Sequence, residues 1–519
     1  MELEDDTFEA VTPGLSSHAA DPEAAAASLD PLLALALATV PADQHSRTTL
    51  TVGATAGLRL LPGKQADDIL DAVRLRLREK YPFVVEPRNG VTVLDGQSEG
   101  AFAWLTLNYL LGHLGKPAGE TVAAIDLGEF SGVLPAPPSP VPSFFFFFGP
   151  PPSRRGFSRQ RALDSAQESS LQAPTHPLPP PPPLPGPPRA ERKRKKKQKK
   201  TQKTGGGSVQ HAYALSDPKA ASEAPPGYVR ALAGGGKRYS VYVHSYLGFG
   251  LMAGRSAVLK QGETESRSAA AAAATVTNGG AGEGHPCVPA VPCSATTTPT
   301  SSTASASESR KEKAGGAAAA AAADPAAKAG HQARPACSLY RYGDATHDLA
   351  AAAAGSASFA RCSSLARDAM SKSRPCGAPT DQCSFDGAWG GAGRPSALYV
   401  SSYFFDRAVD AGIIDENDDG RGGGATISAE VRPSDLRSAG ERACSAGPRA
   451  SDAAAAFPAA KAETAPFMCL DLAFQHALLT HGFGLDETKP VTIVKKVSYR
   501  GKEVEAAWPL GAALNNMAG

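Results

Sequence analysis

Val122-Ala123-Ala124-Ile125-Asp126-Leu127-Gly128 breaks off, and Gly206-Gly207-Ser208-Val209-Gln210 takes up where it stops. The first piece is a continuous apolar run, as expected of a buried strand, and it ends with a carboxylate at the strand's mouth. Between the pieces, residues 129–205 hold proline tracts, five consecutive phenylalanines (Phe144–Phe148) and the basic run Arg189–Lys203. No periodicity runs through them, so no fold is assigned and the segment reads as a disordered insert. Removing it leaves Asp-Leu-Gly-Gly-Gly-Ser-Val-Gln without a gap. A Phe/Pro/Ser tract followed by a Lys/Arg tract is also what translated non-coding sequence would give, because those residues have pyrimidine-only and purine-only codons.

Outward from this split loop the chain reads as α/β protein. Thr48–Val52 is strand-like and runs into the small-residue turn Gly53-Ala54-Thr55-Ala56-Gly57. Ile69, Leu70, Val73 and Leu77 fall on one helical face. Val91–Leu94 reads as a short strand and Gly100–Leu114 as a mostly buried helix. Beyond the insert, globular character returns through Arg238–Gly250, a strand-like Ala397–Ser401, a helix around Cys469–Gly482 and a closing unit over Val491–Leu514. Residues 262–335 and 416–464 read as low-complexity inserts.

The net charge of +2 averages over unlike parts. Residues 129–205 alone carry an excess of about ten positive charges, so the remaining body is acidic and nucleic acid is excluded as its partner. All 8 cysteines lie between Cys287 and Cys469, an even, clustered set that fits disulfides of an oxidising compartment. A zinc site is the weaker reading, since no Cys-x-x-Cys pair is present. The start, Met1–Asp6, is acidic, unlike a secretion signal, and the best apolar run, Leu32–Val40, is too short to cross a bilayer. The chain is therefore expected to lack its beginning.

Five blocks, in order, resemble the apyrase (ectonucleoside triphosphate diphosphohydrolase) family, especially its plant-like members. They are Pro13-Gly14-Leu15-Ser16-Ser17; Gly53–Leu61; Asp95-Gly96-Gln97-Ser98-Glu99-Gly100 running on to Gly112; the split Asp126–Gln210 loop; and the C-terminal Cys469–Gly484 and Glu505–Gly511 segments. The resemblance implies two ribonuclease-H-like α/β lobes of the actin–hexokinase-like kind with a nucleotide cleft between them. Lobe one would use 1–95 plus 500–519, and lobe two 96–128 plus 206–499. It also implies disulfides Cys287–Cys362, Cys376–Cys383 and Cys444–Cys469, with Cys293 and Cys337 joined or unpaired.

The chemistry explains the motif. Phosphoryl transfer to water needs charge neutralisation, a positioned nucleophile and close backbone approach to phosphate oxygens. Glycines give that approach, one carboxylate can hold a divalent ion through water, and another can accept the proton of the attacking water. By resemblance Glu99 is the general base and Asp126 holds Ca²⁺ or Mg²⁺ through water. Gly128, Gly206 and Gly207 cradle phosphate, and Ser208, Gln210 and Thr55 orient the nucleophile or phosphate. Tyr403 and Phe404 lie beside the nucleoside, although an aromatic core strand explains them equally well. Taken singly, Glu99 reads as a helix-start residue and Asp126 as a turn-former.

The implied substrates are nucleoside di- and triphosphates. The implied location is the secretory pathway, in Golgi lumen, membrane or outside the cell, with the family's membrane anchor absent from the sequence. The family's first phosphate-binding block should precede Pro13, and only twelve residues stand there. On that ground the chain is expected to be impaired. A non-catalytic nucleotide-binding relative is the alternative.

Overall fold

A computed structural model of the protein describes residues 14–87, 90–128, 206–273, 285–289, 357–371, 373–377, 382–395, 397–415, 428–447 and 449–518. It also describes Leu3, Thr7 and Glu9, and strands at 134–135, 143–146, 339–342 and 345–348. Helices α1 (Pro22–Ala27) and α2 (Asp30–Thr39) lead into β1 (Thr49–Ala54). Asp21 caps α1 by accepting from the Ala24 N–H, with Pro22 in the first turn. The short α3 (Ala56–Arg59) and the longer α4 (Gln65–Lys80) follow, then β2 (Val84–Val85) and β3 (Val91–Val93), both parallel to β1. Leu32, Leu33, Leu50, Val52, Ile69, Val73 and Leu77 form one core around this sheet, so the helical face expected at 69–77 is the buried one.

Helix α5 (Gly96–Leu110) leads to β4 (Ala123–Leu127), followed by β5 (Leu134–Pro135) and β6 (Ser143–Phe146). No element was expected here, yet β6 pairs in parallel with β1, from Thr49↔Ser143 to Val52↔Phe146. The physical reason is an open strand edge beside a run of residues with high β-propensity.

Next come β7 (Ser208–Ala214), α6 (Pro218–Glu223), β8 (Val229–Gly234), β9 (Lys237–Leu247) and α7 (Leu251–Ala273). The hairpin β10 (Leu339–Tyr342) and β11 (Ala345–Asp348) precedes α8 (Phe359–Ala369), β12 (Leu398–Ser402), α9 (Tyr403–Asp410) and β13 (Ser428–Val431). Helices α10 (Pro433–Cys444), α11 (Ala450–Ala456) and α12 (Met468–Ala477) follow, and the chain closes with β14 (Val491–Val494), β15 (Lys496–Tyr499), β16 (Lys502–Glu505) and α13 (Trp508–Ala518).

The second sheet runs β13-β14-β12-β4-β7-β9-β8. Strands β4, β7 and β9 form an antiparallel meander, and β12 and β14 extend it in parallel on the β4 side, the order expected of a ribonuclease-H-like lobe. Alternation decides which face each residue serves. Ile125, Leu127, Val209 and Tyr213 enter the core shared with α7, α8, α9, α10 and α12. Ala124, Ala212 and Ala214 join the core under α5. By the same period of two, Asp126, Ser208 and Gln210 belong to the α5 face.

Helix α13 lies on α5: Thr106 Oγ1 donates to Ala507 O (2.9 Å) and accepts from Gly511 N (2.8 Å). A Cβ at Gly511 would strike the Phe102 backbone, so glycine permits this approach. The 416–464 stretch is not simply an insert. Leu436, Ala439, Gly440 and Ala443 bury one face of α10, and the alanines and glycine among them obscure the helical period. The 262–335 stretch begins inside α7 and contains a buried anchor at 285–289, fastened by Cys287–Cys362. Cys376–Cys383 and Cys444–Cys469 are also bonded, whereas Cys293 and Cys337 lie outside the described residues. Among the described residues no helix is long and apolar enough to cross a membrane.

Candidate active site

Glu99 owes its place to the start of α5. Asp95 caps the helix, accepting from Ser98 N at 2.8 Å. Gly100 lets the first turn lie close to the sheet, since a Cβ there would meet Val243 Cγ2 at 2.9 Å and Gln210 Cβ at 3.0 Å. Glu99 is thereby held, 1% exposed, over β7. Its Oε2 accepts from Arg59 Nη2 (2.8 Å) and from Gln210 Nε2 (3.1 Å). Arg59 Nη2 also donates to Ser208 Oγ (3.1 Å), and Gln210 Nε2 donates to the same oxygen (2.6 Å) and to Ser245 Oγ (3.2 Å). Arg59 stands at the end of α3, so the first sheet supplies the cation and the second supplies the carboxylate.

Asp126 pairs across the strands with Gln210 on one side and Ser401 on the other. Its Oδ1 accepts from the hydroxyls of Ser402 and Ser401. Burial pushes the carboxyl up to about 6, against the opposing pull of those two hydroxyls. Ser402 is held at φ +64°, a conformation costly for a residue with a Cβ, which aims its hydroxyl at the carboxylate.

The two halves of the split loop meet at one aromatic ring. A Cβ on Gly128 (φ +148°) would lie 3.1 Å from Tyr403 Cε2, and one on Gly206 (φ +75°) would lie 3.1 Å from the same atom. Only glycine fits both. Gly206 O accepts from Met252 N at 3.1 Å, the first turn of α7. A Cβ on Gly207 would meet Leu60 Cδ1 (2.7 Å), Tyr342 Oη (2.9 Å) and Ala56 Cβ (3.1 Å), so this glycine faces the turn begun by Thr55.

Glu99, Ser208 and Gln210 are thus brought into one hydrogen-bonded group, with Asp126 one strand away. Thr55 stands at the mouth of β1 beside Gly207's neighbour Ala56, without a side-chain cap bond. Phe404 is 0% exposed inside the core, and Tyr403, also buried, lies against the glycine loop from helix α9. Sequence reading does not single out Arg59, Ser401 or Ser402. Arg59 lies in the Gly53–Leu61 block, and the serine doublet ending an apolar strand is the available signal for the others.

A family model described as GDA1/CD39 (nucleoside phosphatase) matches residues 1–134 and 189–519. The chain belongs to the GDA1/CD39 (nucleoside phosphatase) family. Its unmatched stretch lies inside the segment that splits the glycine loop. This GDA1/CD39 member is 32% identical to "Probable apyrase 1" of Oryza sativa subsp. japonica, over 98% of this chain and 74% of the relative. It is 50% identical to the "Guanosine-diphosphatase" of Schizosaccharomyces pombe (strain 972 / ATCC 24843), over 24% of this chain and 23% of that protein. Similarity to a solved nucleoside triphosphate hydrolase from Neospora caninum has a TM-score of 0.45 at 13% identity, covering 95% of this chain and 78% of that one.

Among the described residues no three His, Cys, Asp or Glu side chains converge on a point that could enclose an ion. The donor set at Asp126, Ser401 and Ser402 is nonetheless all oxygen, as a hard divalent cation requires. One carboxylate suits an ion that keeps most of its waters and shares phosphate oxygens with the substrate.

Proposed function

We propose that the chain hydrolyses the terminal phosphate of nucleoside tri- and diphosphates by direct attack of water. The observation that carries this reading is the single cluster of Glu99, Arg59, Ser208 and Gln210, joined by contacts of 2.6 to 3.1 Å beside a glycine loop. Two donors already point at Ser208 Oγ, so its own O–H is the group left for a phosphate oxygen or the nucleophile. Gln210 Oε1 is buried with no hydrogen-bond partner among the described residues. A water seated there gives one hydrogen bond to Gln210 Oε1 and its departing proton to Glu99, while its oxygen attacks phosphorus. The bond to the bridging oxygen breaks, and the nucleoside phosphate leaves with the electron pair.

Gly128, Gly206 and Gly207 present backbone without Cβ atoms to the phosphate, and Arg59 holds Glu99 in place to accept the water's proton. Asp126, steadied by Ser401 and Ser402, would hold Ca²⁺ or Mg²⁺ through water. When bound, the ion neutralises charge gathering on the phosphate oxygens. The disulfides support a place in the secretory pathway.

The test is release of inorganic phosphate from ATP, ADP, GDP and UDP with Ca²⁺ or Mg²⁺, run in ¹⁸O-water. Label in the released phosphate, together with loss of turnover in Glu99→Gln, is expected. Wild-type protein that binds these nucleotides but releases no phosphate would instead establish a binding relative.

A further inference from the structure

We infer that the β10–β11 hairpin is a working part of the phosphate site, and that the Tyr342 hydroxyl donates to a non-bridging oxygen of the phosphoryl group held at Gly206–Gly207. The inference rests on the nucleotide reading above and adds a residue to it.

Three fastenings carry the hairpin to the loop. Tyr340 Oη donates to Met252 O at 2.7 Å, and Met252 N in turn donates to Gly206 O. The Tyr340 ring is buried against Phe467, with centroids 5.5 Å apart, so this strand has a fixed height. Tyr342 lies two residues on, and the period of a strand sends it to the same side. That places its hydroxyl beside Gly207, where it would touch an added Cβ. The return strand is pinned as well. His347, opposite Tyr340 in the ladder, accepts or donates at Ser256 Oγ (2.7 Å) through Nε2 and meets Glu263 Oε1 (3.2 Å) through Nδ1. Ser256 and Glu263 lie two turns apart on one face of α7, so the histidine straps the hairpin along that helix.

A serine–histidine–glutamate chain also has the connectivity of a hydrolytic triad. Ser256 stands in the second turn of α7, however, where the following backbone N–H groups are committed to carbonyls one turn back and cannot serve an oxyanion. The chain is therefore an anchor. A phenol is suited to this place beside Gly207, since its hydroxyl donates without adding charge.

The test compares wild type with Tyr342→Phe, His347→Leu and the double variant, using ATP hydrolysis, affinity for the non-hydrolysable imido analogue of ATP, and thermal melting. Tyr342→Phe should lower kcat/KM about ten- to a hundredfold without lowering the melting temperature. His347→Leu should lower it less, and the double variant no further than Tyr342→Phe, because His347 acts through Tyr342. Activity of Tyr342→Phe within twofold of wild type, or additive losses, overturns the inference. Should wild type release no phosphate, the hydrolase reading fails by itself. Binding of the imido analogue then decides: tenfold weaker binding by Tyr342→Phe upholds the hairpin's role, while equal affinity, or no binding by wild type, overturns it.

Discussion

Arg59 and Glu99 form a 2.8 Å ion pair in which the carboxylate is almost wholly buried, and the pair joins two separately cored sheets. An ion pair of this kind adds little net stability, because desolvation offsets attraction, but removing one partner strands the other. Arg59→Met should therefore destabilise the fold by about 3 kcal/mol in chemical denaturation and cut kcat on ATP at least a hundredfold. Glu99→Gln keeps the shape and most of the hydrogen bonding. It should lose kcat by a factor of about 10² to 10⁴ with KM nearly unchanged. Equal effects on stability and no split between kcat and KM would show the pair to be structural only.

Asp126 gives the second prediction, through its raised pKa of about 6 against 3.8 unperturbed. A carboxyl raised on folding favours the protonated native state. Its stabilising contribution is full below pH 3.8 and is lost as pH rises through about 6. In metal-free buffer at pH 8, Asp126→Asn should be more stable than wild type by up to about 3 kcal/mol, and the difference should vanish at pH 4. Adding Ca²⁺ or Mg²⁺ at pH 8 should raise the melting temperature of wild type and not of Asp126→Asn. An identical metal response in both proteins would remove Asp126 from the ion's site.

Local periodicity and family resemblance carry what is legible in the sequence. The Asp126–Gly128 and Gly206–Gln210 pieces form one motif by resemblance, and they meet at the Tyr403 ring in space. Glu99 followed from its block, and the buried face of α4 from its period. What escaped depended on tertiary packing. Arg59 reads as an ordinary basic residue until its reach to Glu99 is seen, and Ser402's positive φ has no sequence signal beyond a serine doublet. The Tyr403–Phe405 run suits strand or helix, so α9 and the burial of Phe404 were invisible. Helix α10 was masked by alanine and glycine, which serve equally in a low-complexity tract and in a tight helix contact.

The meeting of Gly128 and Gly206 at Tyr403 yields a third prediction. Excising 129–205, so that Gly128 is followed directly by Gly206, should give a folded protein, because both glycines already sit against one ring. Strand β6 would be lost from the edge of β1, so a modest fall in melting temperature is expected. Phosphate release should be retained or rise, because a loop closed covalently loses less entropy on ordering. An excised protein that folds but has lost activity would mean that the segment contributes to the site.

Gln210 separates a proton-accepting role for Glu99 from a purely electrostatic one. Its Nε2 donates to Glu99 Oε2 at 3.1 Å, and both side chains are buried. Gln210→Glu keeps length and volume but replaces that donor with a second carboxylate. Two buried carboxylates at hydrogen-bond distance cannot both ionise easily, so they share a proton and the pair's upper apparent pKa rises. If Glu99 must be ionised to accept water's proton, the acidic limb of the kcat/KM profile should move up by about one to two pH units. Activity at high pH should partly recover, because deprotonation restores the base. Were Glu99 only a fixed negative charge steadying Arg59, the variant would supply extra charge and the limb would stay in place or move down. The direction of that shift in a pH–rate profile distinguishes the two roles without removing Glu99 itself.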